Sequence, residues 1–326
     1  MKRKILACFL LSLMVFSSLC GCGEEKKYTK IKLNEVAHSI FYAPMYVAFE
    51  KQYFEEEGLK VTLVNGKGAD NTMTAVLSGE ADIGFMGSEA SIYVYNEGAK
   101  DPVVNFAQLT QRAGNFLVGR EADSQFSWEK LKGKTVLGGR EGGMPEMVFE
   151  YILKKNGINP KKDLKIVQNI DFGLTAGAFS SGKGDYTVEF EPFAAGLEAE
   201  KKGTVIASLG EASGMVPYTA FSVQKSYMEK NKEVLKSFVK AIKKGMEYVD
   251  NHTSAEVAKV IQPQFKETEL SKITTIVERY KKQNTWKSDL VFEKSSFELL
   301  EDILIDSGVI KNKVPYEELV TTDFVK

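Results

Sequence analysis

The chain of 326 residues has three cysteines, and all of them, Cys8, Cys20 and Cys22, fall within the first 22 positions. The stretch from Gly23 to Lys326 therefore has no disulfide scaffold, no thiolate metal site and no cysteine nucleophile. Histidine is almost as scarce. His38 and His252 stand far apart, which gives a transition-metal cluster or a Cys-His pair no support. Excess charge of either sign is also missing: 43 Lys and Arg stand against 44 Asp and Glu, a formal charge of -1. No basic run occurs outside the N-terminus, so a general nucleic-acid surface is disfavoured. There is no Walker sequence and no nucleophile elbow, and Gly138-Gly139-Arg140-Glu141-Gly142-Gly143 does not match the GxGxxG fingerprint. These absences point away from an enzyme and assign no cofactor and no metal.

The first residues read as an address. Lys2, Arg3 and Lys4 precede a run from Ile5 to Leu19 that is apolar apart from serines. This run is shorter than the roughly 20 residues of a membrane-spanning helix, so it reads as a secretory signal. Small Gly21 stands immediately before Cys22, an arrangement that resembles a bacterial lipobox. That resemblance implies cleavage between Gly21 and Cys22 and diacylation (palmitate-type lipidation) of Cys22. It also implies retention at the outer face of a plasma membrane or in an outer-membrane leaflet; the alternatives are a plain signal peptide or an uncleaved anchor. On this reading residues 1–21 are the lipoprotein signal peptide and 22–30 a polar, lipidated tether. The mature chain then has 305 residues with 40 basic against 44 acidic side chains, a charge of -4.

The body exceeds the size at which one core usually stops growing, so two domains are expected. Strand and helix signals alternate along it. Strand signals at Ile31–Leu33, Leu59–Leu63 and Ile83–Met86 are separated by helical spacing over Ala43–Glu55 and Asp70–Leu77. The same grammar continues through a helix at Ser88–Glu97 and strands at Pro102–Leu109 and Phe116–Val118. A second unit has strands at Lys134–Leu137, Leu164–Val167, Tyr186–Val188 and Val205–Leu209, with helices at Met144–Asn156, Leu174–Phe179 and Pro192–Lys201. Mostly parallel sheets covered by helices are the expected α/β architecture. Tyr218–Val223 reads as a return strand, and the remainder is helix-rich, with apolar stripes such as Val234, Leu235, Phe238, Val239 and Ile242. The chain is expected to cross between halves near Leu109–Phe116 and Gly214–Tyr218. Lobe I then comprises 31–113 and 217–326, and lobe II 114–216, with a ligand cleft between them and a two-segment hinge.

Four segments feed that cleft. The turn Gly138 to Pro145 follows a strand and opens a helix. Gly142, Gly143 and Met144 there leave backbone N–H groups for phosphate, sulfonate, carboxylate or a polar ring atom, or form a turn with no ligand. In the segment from Val36 to Pro44, His38, Phe41 and Tyr42 precede a helix and suit a flat organic ligand, with a structural histidine and an aromatic staple as alternatives. Gly87 and Ser88 end another strand, where Ser88 is a cap, a ligand or both. Glu189 and Glu191 alternate with Phe190 and are candidates to accept hydrogen bonds from an amino group or to balance a cation, with helix-start stabilisation and solvent exposure as alternatives. Asn115 and Phe116 lie at the proposed crossing.

Taken with the lipobox, the segments His38-Ser39-Ile40-Phe41-Tyr42-Ala43-Pro44, Tyr53-Phe54-Glu55-Glu56-Glu57-Gly58-Leu59 and Leu77-Ser78-Gly79-Glu80-Ala81-Asp82-Ile83-Gly84 resemble the solute-binding lipoproteins of ABC importers in the NMT1/THI5-like group. The resemblance covers almost all of the mature chain. It implies a type II periplasmic-binding-protein fold, closure around a small molecule, and delivery to an ABC permease with a separate cytoplasmic ATPase. Ligands implied across the group are nitrate, alkanesulfonates, taurine and thiamine-pyrimidine precursors. Aromatic residues and a carboxylate serve the pyrimidine binders, which makes Tyr42, Glu189 and Glu191 counterparts. The cysteine-rich motif of related yeast proteins that make the pyrimidine is absent from this body. The expected solute is a small nitrogen-containing aromatic or heterocyclic nutrient, with sulfonate, taurine or nitrate binding and a lipid-anchored sensor as alternatives.

Overall fold

The computed structural model describes residues 27–170 and 173–326; the leader, Cys22 and the first part of the tether lie outside the described residues. Ten strands are described: β1 (Thr29–Glu35), β2 (Leu59–Asn65), β3 (Ile83–Gly87), β4 (Val103–Thr110), β5 (Asn115–Gly119), β6 (Thr135–Leu137), β7 (Lys165–Val167), β8 (Tyr186–Phe190), β9 (Thr204–Ser208) and β10 (Thr219–Gln224). They form two five-stranded sheets, ordered β2-β1-β3-β10-β4 and β7-β6-β8-β5-β9, in a bilobed α/β fold.

The sheets are parallel where helices return the chain to the same edge, as in β1 with β2 and β3, or β6 with β7 and β8. They are antiparallel where a strand arrives from the other lobe. Strand β10 opposes both β3 and β4, and β5 opposes both β8 and β9. The sheets are thus more mixed than the alternating pattern suggests, because a crossing strand needs no right-handed helical return. Every residue of β4 is buried although it ends its sheet. Its outer edge is covered by the segment running through Thr285 to Leu290, whose backbone bonds Gln108, Leu109 and Gln111.

The helical spacing over Ala43–Glu55 resolves into two helices, Ala43–Glu50 and Tyr53–Glu56, because Gln52 adopts φ 59°. That break swings Phe54 inward against Phe49 and Phe238. The long helix Lys232–Asn251 buries Leu235, Phe238, Val239, Ile242, Met246 and Val249 along one face, and Val234 stays at the edge of that face. It lies so close to Ala43–Glu50 that a Cβ on Gly245 would fall 2.2 Å from the Pro44 carbonyl oxygen. Among the described residues no helix is long and apolar enough to cross a membrane.

The chain leaves the first sheet after β4, through 111–114, and returns through 214–218. The two crossings bond each other, Val216 N–H to the Gln111 carbonyl and Tyr218 N–H to that of Thr110. The end of helix Leu270–Lys282 braces them, with Tyr280 donating to the Gly114 carbonyl (2.8 Å) and Gln283 to that of Ala113 (3.1 Å).

Candidate functional site

Crevices at the carboxyl ends of parallel strands are where α/β folds collect ligands. Strands β1 and β3 end towards the second lobe, and the turn Ile40–Tyr42 follows β1. Ser39 caps that turn, accepting from Phe41 N–H, and donates its hydroxyl across to the Glu191 carbonyl oxygen at 2.8 Å. Phe41 is fully buried in an aromatic group, with ring centroids 5.3 Å from Tyr280, 5.7 Å from Phe190 and 5.7 Å from Tyr218. A Cβ on Gly114 would fall 2.4 Å from the Phe41 ring, so the first crossing passes directly over it. Trp286 donates to the Phe41 carbonyl (2.8 Å). Tyr42 packs edge-on against Phe85 at 4.5 Å, and its hydroxyl reaches Thr219. Burial drives the Tyr42 and Tyr218 phenols well above their ordinary pKa.

Three side chains at this junction hold polar atoms that are buried without a hydrogen-bond partner in the protein. Asn115 is 0% exposed with both amide atoms unmatched, Tyr218 is 4% exposed with its hydroxyl unmatched, and Glu89 is 4% exposed with Oε2 unmatched. Such groups each cost about 1–3 kcal/mol in an apolar setting. Asn115 pairs with Phe190 across the β5–β8 ladder, and Phe190 lies 6.1 Å from the Tyr218 ring. Tyr42 and Tyr218 both feel the Glu89 charge. Burial pushes the Glu89 carboxyl up to about 7, against the pull of its own and the Met144 backbone amides and of Arg140.

Two of the three arginines nearby are fully engaged. Arg140 binds Asp70 across the lobes at 2.6 Å and Arg279 pairs with Glu191 and Glu198, whereas Arg112 donates through Nη1 to the Gly210 carbonyl and keeps a buried Nε without a partner. Among the described residues no cluster of three or more His, Cys, Asp or Glu is placed to hold a metal ion.

The NMT1/THI5-like family model matches residues 40–255, about two thirds of the chain. The chain belongs to the NMT1/THI5-like family. YtlA of Bacillus subtilis (strain 168), named as a binding protein, is 47% identical over 315 residues, 97% of this chain and 94% of its own length. A 4-amino-5-hydroxymethyl-2-methylpyrimidine phosphate synthase of Aspergillus parasiticus is 23% identical over 64% of this chain, which spans 63% of the synthase. Among solved structures, the alkanesulfonate-binding protein SsuA of Xanthomonas axonopodis pv. citri bound to MOPS superposes with a TM-score of 0.72 at 15% identity, covering 90% of this chain and 98% of its own. The nitrate-binding protein NrtA of Synechocystis PCC 6803 gives 0.73 at 16% identity, covering 91% and 87%. These superpositions establish the type II periplasmic-binding-protein fold.

Within this NMT1/THI5-like protein the expected site residues divide. Phe41, Tyr42, Asn115 and Met144 meet at the junction between lobes. Gly87 meets it too, because its missing side chain makes room for Glu89: a Cβ there would fall 2.1 Å from Oε2. His38 does not. Its Nδ1 meets Glu35 at 2.8 Å, its Nε2 meets the Gln264 carbonyl at 2.9 Å, and its ring stacks on Phe265, so both nitrogens are spent inside lobe I. Burial opposes its charge, and the bonds to Glu35 and Gln264 outweigh that, leaving its pKa raised. Ser88 neither caps its helix nor is free, since its hydroxyl ties β3 to the second crossing through the Pro217 carbonyl at 2.8 Å.

The two carboxylates of β8 are also occupied. Glu189 accepts from Thr187 (2.6 Å) and Thr175 (3.1 Å), with burial raising it to about 7. Glu191 takes Arg279 and the Ala195 amide. The helix start at Gly142, Gly143 and Met144 supplies its own anions: Glu146 accepts from Gly142 N–H (3.2 Å), Glu89 faces Met144, and Pro145 has no N–H. Glu146 and Glu150 share a contact on the other side of this helix, in an open cleft of about 430 Å³ that also reaches Gln168 and Ser307, away from the aromatic junction. Residue-by-residue reading misses Glu89 and Tyr218. A carboxylate in a helix's first turn reads as dipole compensation, and a tyrosine before a strand as core.

Proposed function

We propose that this chain is the extracytoplasmic solute-binding component of an ABC importer, and that its solute is a small nitrogen heterocycle with an amino group, a thiamine-pyrimidine precursor being the first candidate. The protein is a binding protein and not an enzyme. In support, its relative over nearly the whole length is named for binding, whereas the pyrimidine phosphate synthases match about two thirds of the chain. The single observation that carries the solute class is Asn115, whose amide offers one donor and one acceptor, both buried and both unmatched. An amide of this kind recognises an amino group beside a ring nitrogen, as it does on the edge of adenine. Phe41, Tyr42 and Tyr218 make the surroundings aromatic, a chemistry suited to a flat ring. Of the cationic and N–H donors an oxyanion would need, Arg140, Arg279 and the Gly142 N–H are paired with carboxylates, which leaves only the Arg112 Nε–H and the Asn115 amide itself.

Cys22, the lipobox cysteine, is the attachment point to the membrane, and the permease and its ATPase are the partners. Calorimetry with 4-amino-5-hydroxymethyl-2-methylpyrimidine, taurine, methanesulfonate and nitrate tests the solute class: the pyrimidine binds, and tight binding of sulfonates or nitrate alone defeats the reading. Native mass spectrometry of protein from its own cells reads the trapped solute and the lipid on Cys22 together, and an unmodified, soluble chain refutes the anchor.

A further inference from the structure

We propose that Glu89 is the residue that sets which charge the site accepts: its free oxygen takes an N–H donor of the solute, amino or ammonium, and turns anions away. The inference rests on the reading of the junction as a solute site. Four observations carry it. Glu89 is 4% exposed, and Oε2 has no partner in the protein. It stands at the carboxyl end of β3, where a ligand in this fold lies. Gly87 is shaped around it, since a Cβ at that position would fall 2.1 Å and 2.5 Å from the two carboxylate oxygens. The surrounding groups leave the acid without an ion pair: the Tyr42 and Tyr218 phenols are neutral, and Arg140 gives both its NH groups to Asp70.

A buried carboxylate with one oxygen free is costly unless a donor meets it, and a charge-assisted bond to that oxygen is strong. Once the acid is ionised, an anion brought to the same place would meet like charge in a medium of low dielectric. The other deeply buried acids of the strand ends do not offer this contact: Glu189 has hydroxyl partners on both oxygens, Glu191 holds Arg279 and the Ala195 amide, and Glu35 holds His38 and Tyr46. Asn115 and Glu89 therefore divide the recognition, the amide reading the ring edge and the acid fixing the charge.

The test is calorimetry of the wild type, Glu89→Gln and Gly87→Ala against 4-amino-5-hydroxymethyl-2-methylpyrimidine, its counterpart with hydroxyl in place of the amino group, putrescine, methanesulfonate and nitrate. Thermal melts of each variant establish folding. Glu89→Gln keeps the shape, and it should weaken the amino compound about 10- to 100-fold and narrow its advantage over the hydroxyl counterpart. Gly87→Ala, which displaces the carboxylate, should follow the same direction. Binding of putrescine that depends on Glu89, with the pyrimidine ignored, refutes the heterocycle reading and supports the Glu89 assignment. Pyrimidine binding that Glu89→Gln leaves unchanged does the reverse. Wild-type binding confined to the two anions, or to none of the panel, overturns the assignment.

Discussion

A side chain buried with its polar atoms unmatched is a defect unless something else meets them, and Asn115 is the sharpest case. Its neighbours on β5, Phe116, Leu117 and Val118, are apolar and buried, as the strand requires. Valine at 115 would suit the same ladder better and would remove an amide that folding must dehydrate. Asn115→Val should therefore raise the stability of the ligand-free protein by about 1 kcal/mol and abolish tight solute binding. Urea unfolding without ligand and calorimetry with it check the two halves. A variant that loses stability would mean that Asn115 is held by the protein, and the assignment of its amide to the solute would fall.

Elements carry the contacts between lobes, and these were the least legible part of the sequence. Periodicity locates the strands and most helices, because apolar spacing is a local property; the stripe on helix Lys232–Asn251 lies on its buried face as read. The site depends on pairs far apart in the chain. Ser39 meets Glu191 across 152 positions, Ser88 meets Pro217 across 129, and Arg279 meets Glu191 across 88. No local pattern reveals that Glu191 already has a cation or that Gly87 makes space for Glu89. Arg279 shows what such a pair does. It extends from helix Leu270–Lys282, which packs against the turn Ile40–Tyr42 of lobe I, to Glu191 and Glu198 of the other sheet's connections. The Glu191 side chain is fully buried, so removing its partner leaves an uncompensated charge. Arg279→Met should cost about 3–5 kcal/mol, and adding Glu191→Gln should recover most of it. Urea unfolding of the single and double variants decides this; a single variant as stable as the wild type would place the pair among inert surface bridges.

For the molecule as a whole, the buried acids set how stability responds to pH. Burial raises Glu89 and Glu189 from 4.5 to about 7 and Glu146 to about 8, with Glu150 adding to the shift at Glu146. In each case the folded state holds the proton more tightly than the unfolded chain. The stabilisation is therefore whole below about pH 4.5 and is lost as pH rises through 7 to 8. Acids held low by their partners, Glu57 by Lys244 and Lys240, Asp123 by Lys130 and Glu256 by Thr253, act only at the acid end. The groups facing Glu89 do not reverse the sign, since Tyr42, Tyr93 and Tyr218 are neutral throughout this range and Arg140 stays paired with Asp70. Ligand-free protein should thus lose stability between pH 5 and pH 8, by on the order of 2–3 kcal/mol for each fully buried acid. Glu89→Gln, Glu189→Gln and Glu146→Gln should each flatten the profile, which urea midpoints across that range will read. A solute whose N–H donor meets Glu89 favours the ionised acid, so its stabilising effect should grow over the same interval. A profile that rises from pH 5 to 8, or that the three amides leave unchanged, would mean that these carboxyls are solvated in the folded protein, and the assignment of the free Glu89 oxygen to the solute would go with it.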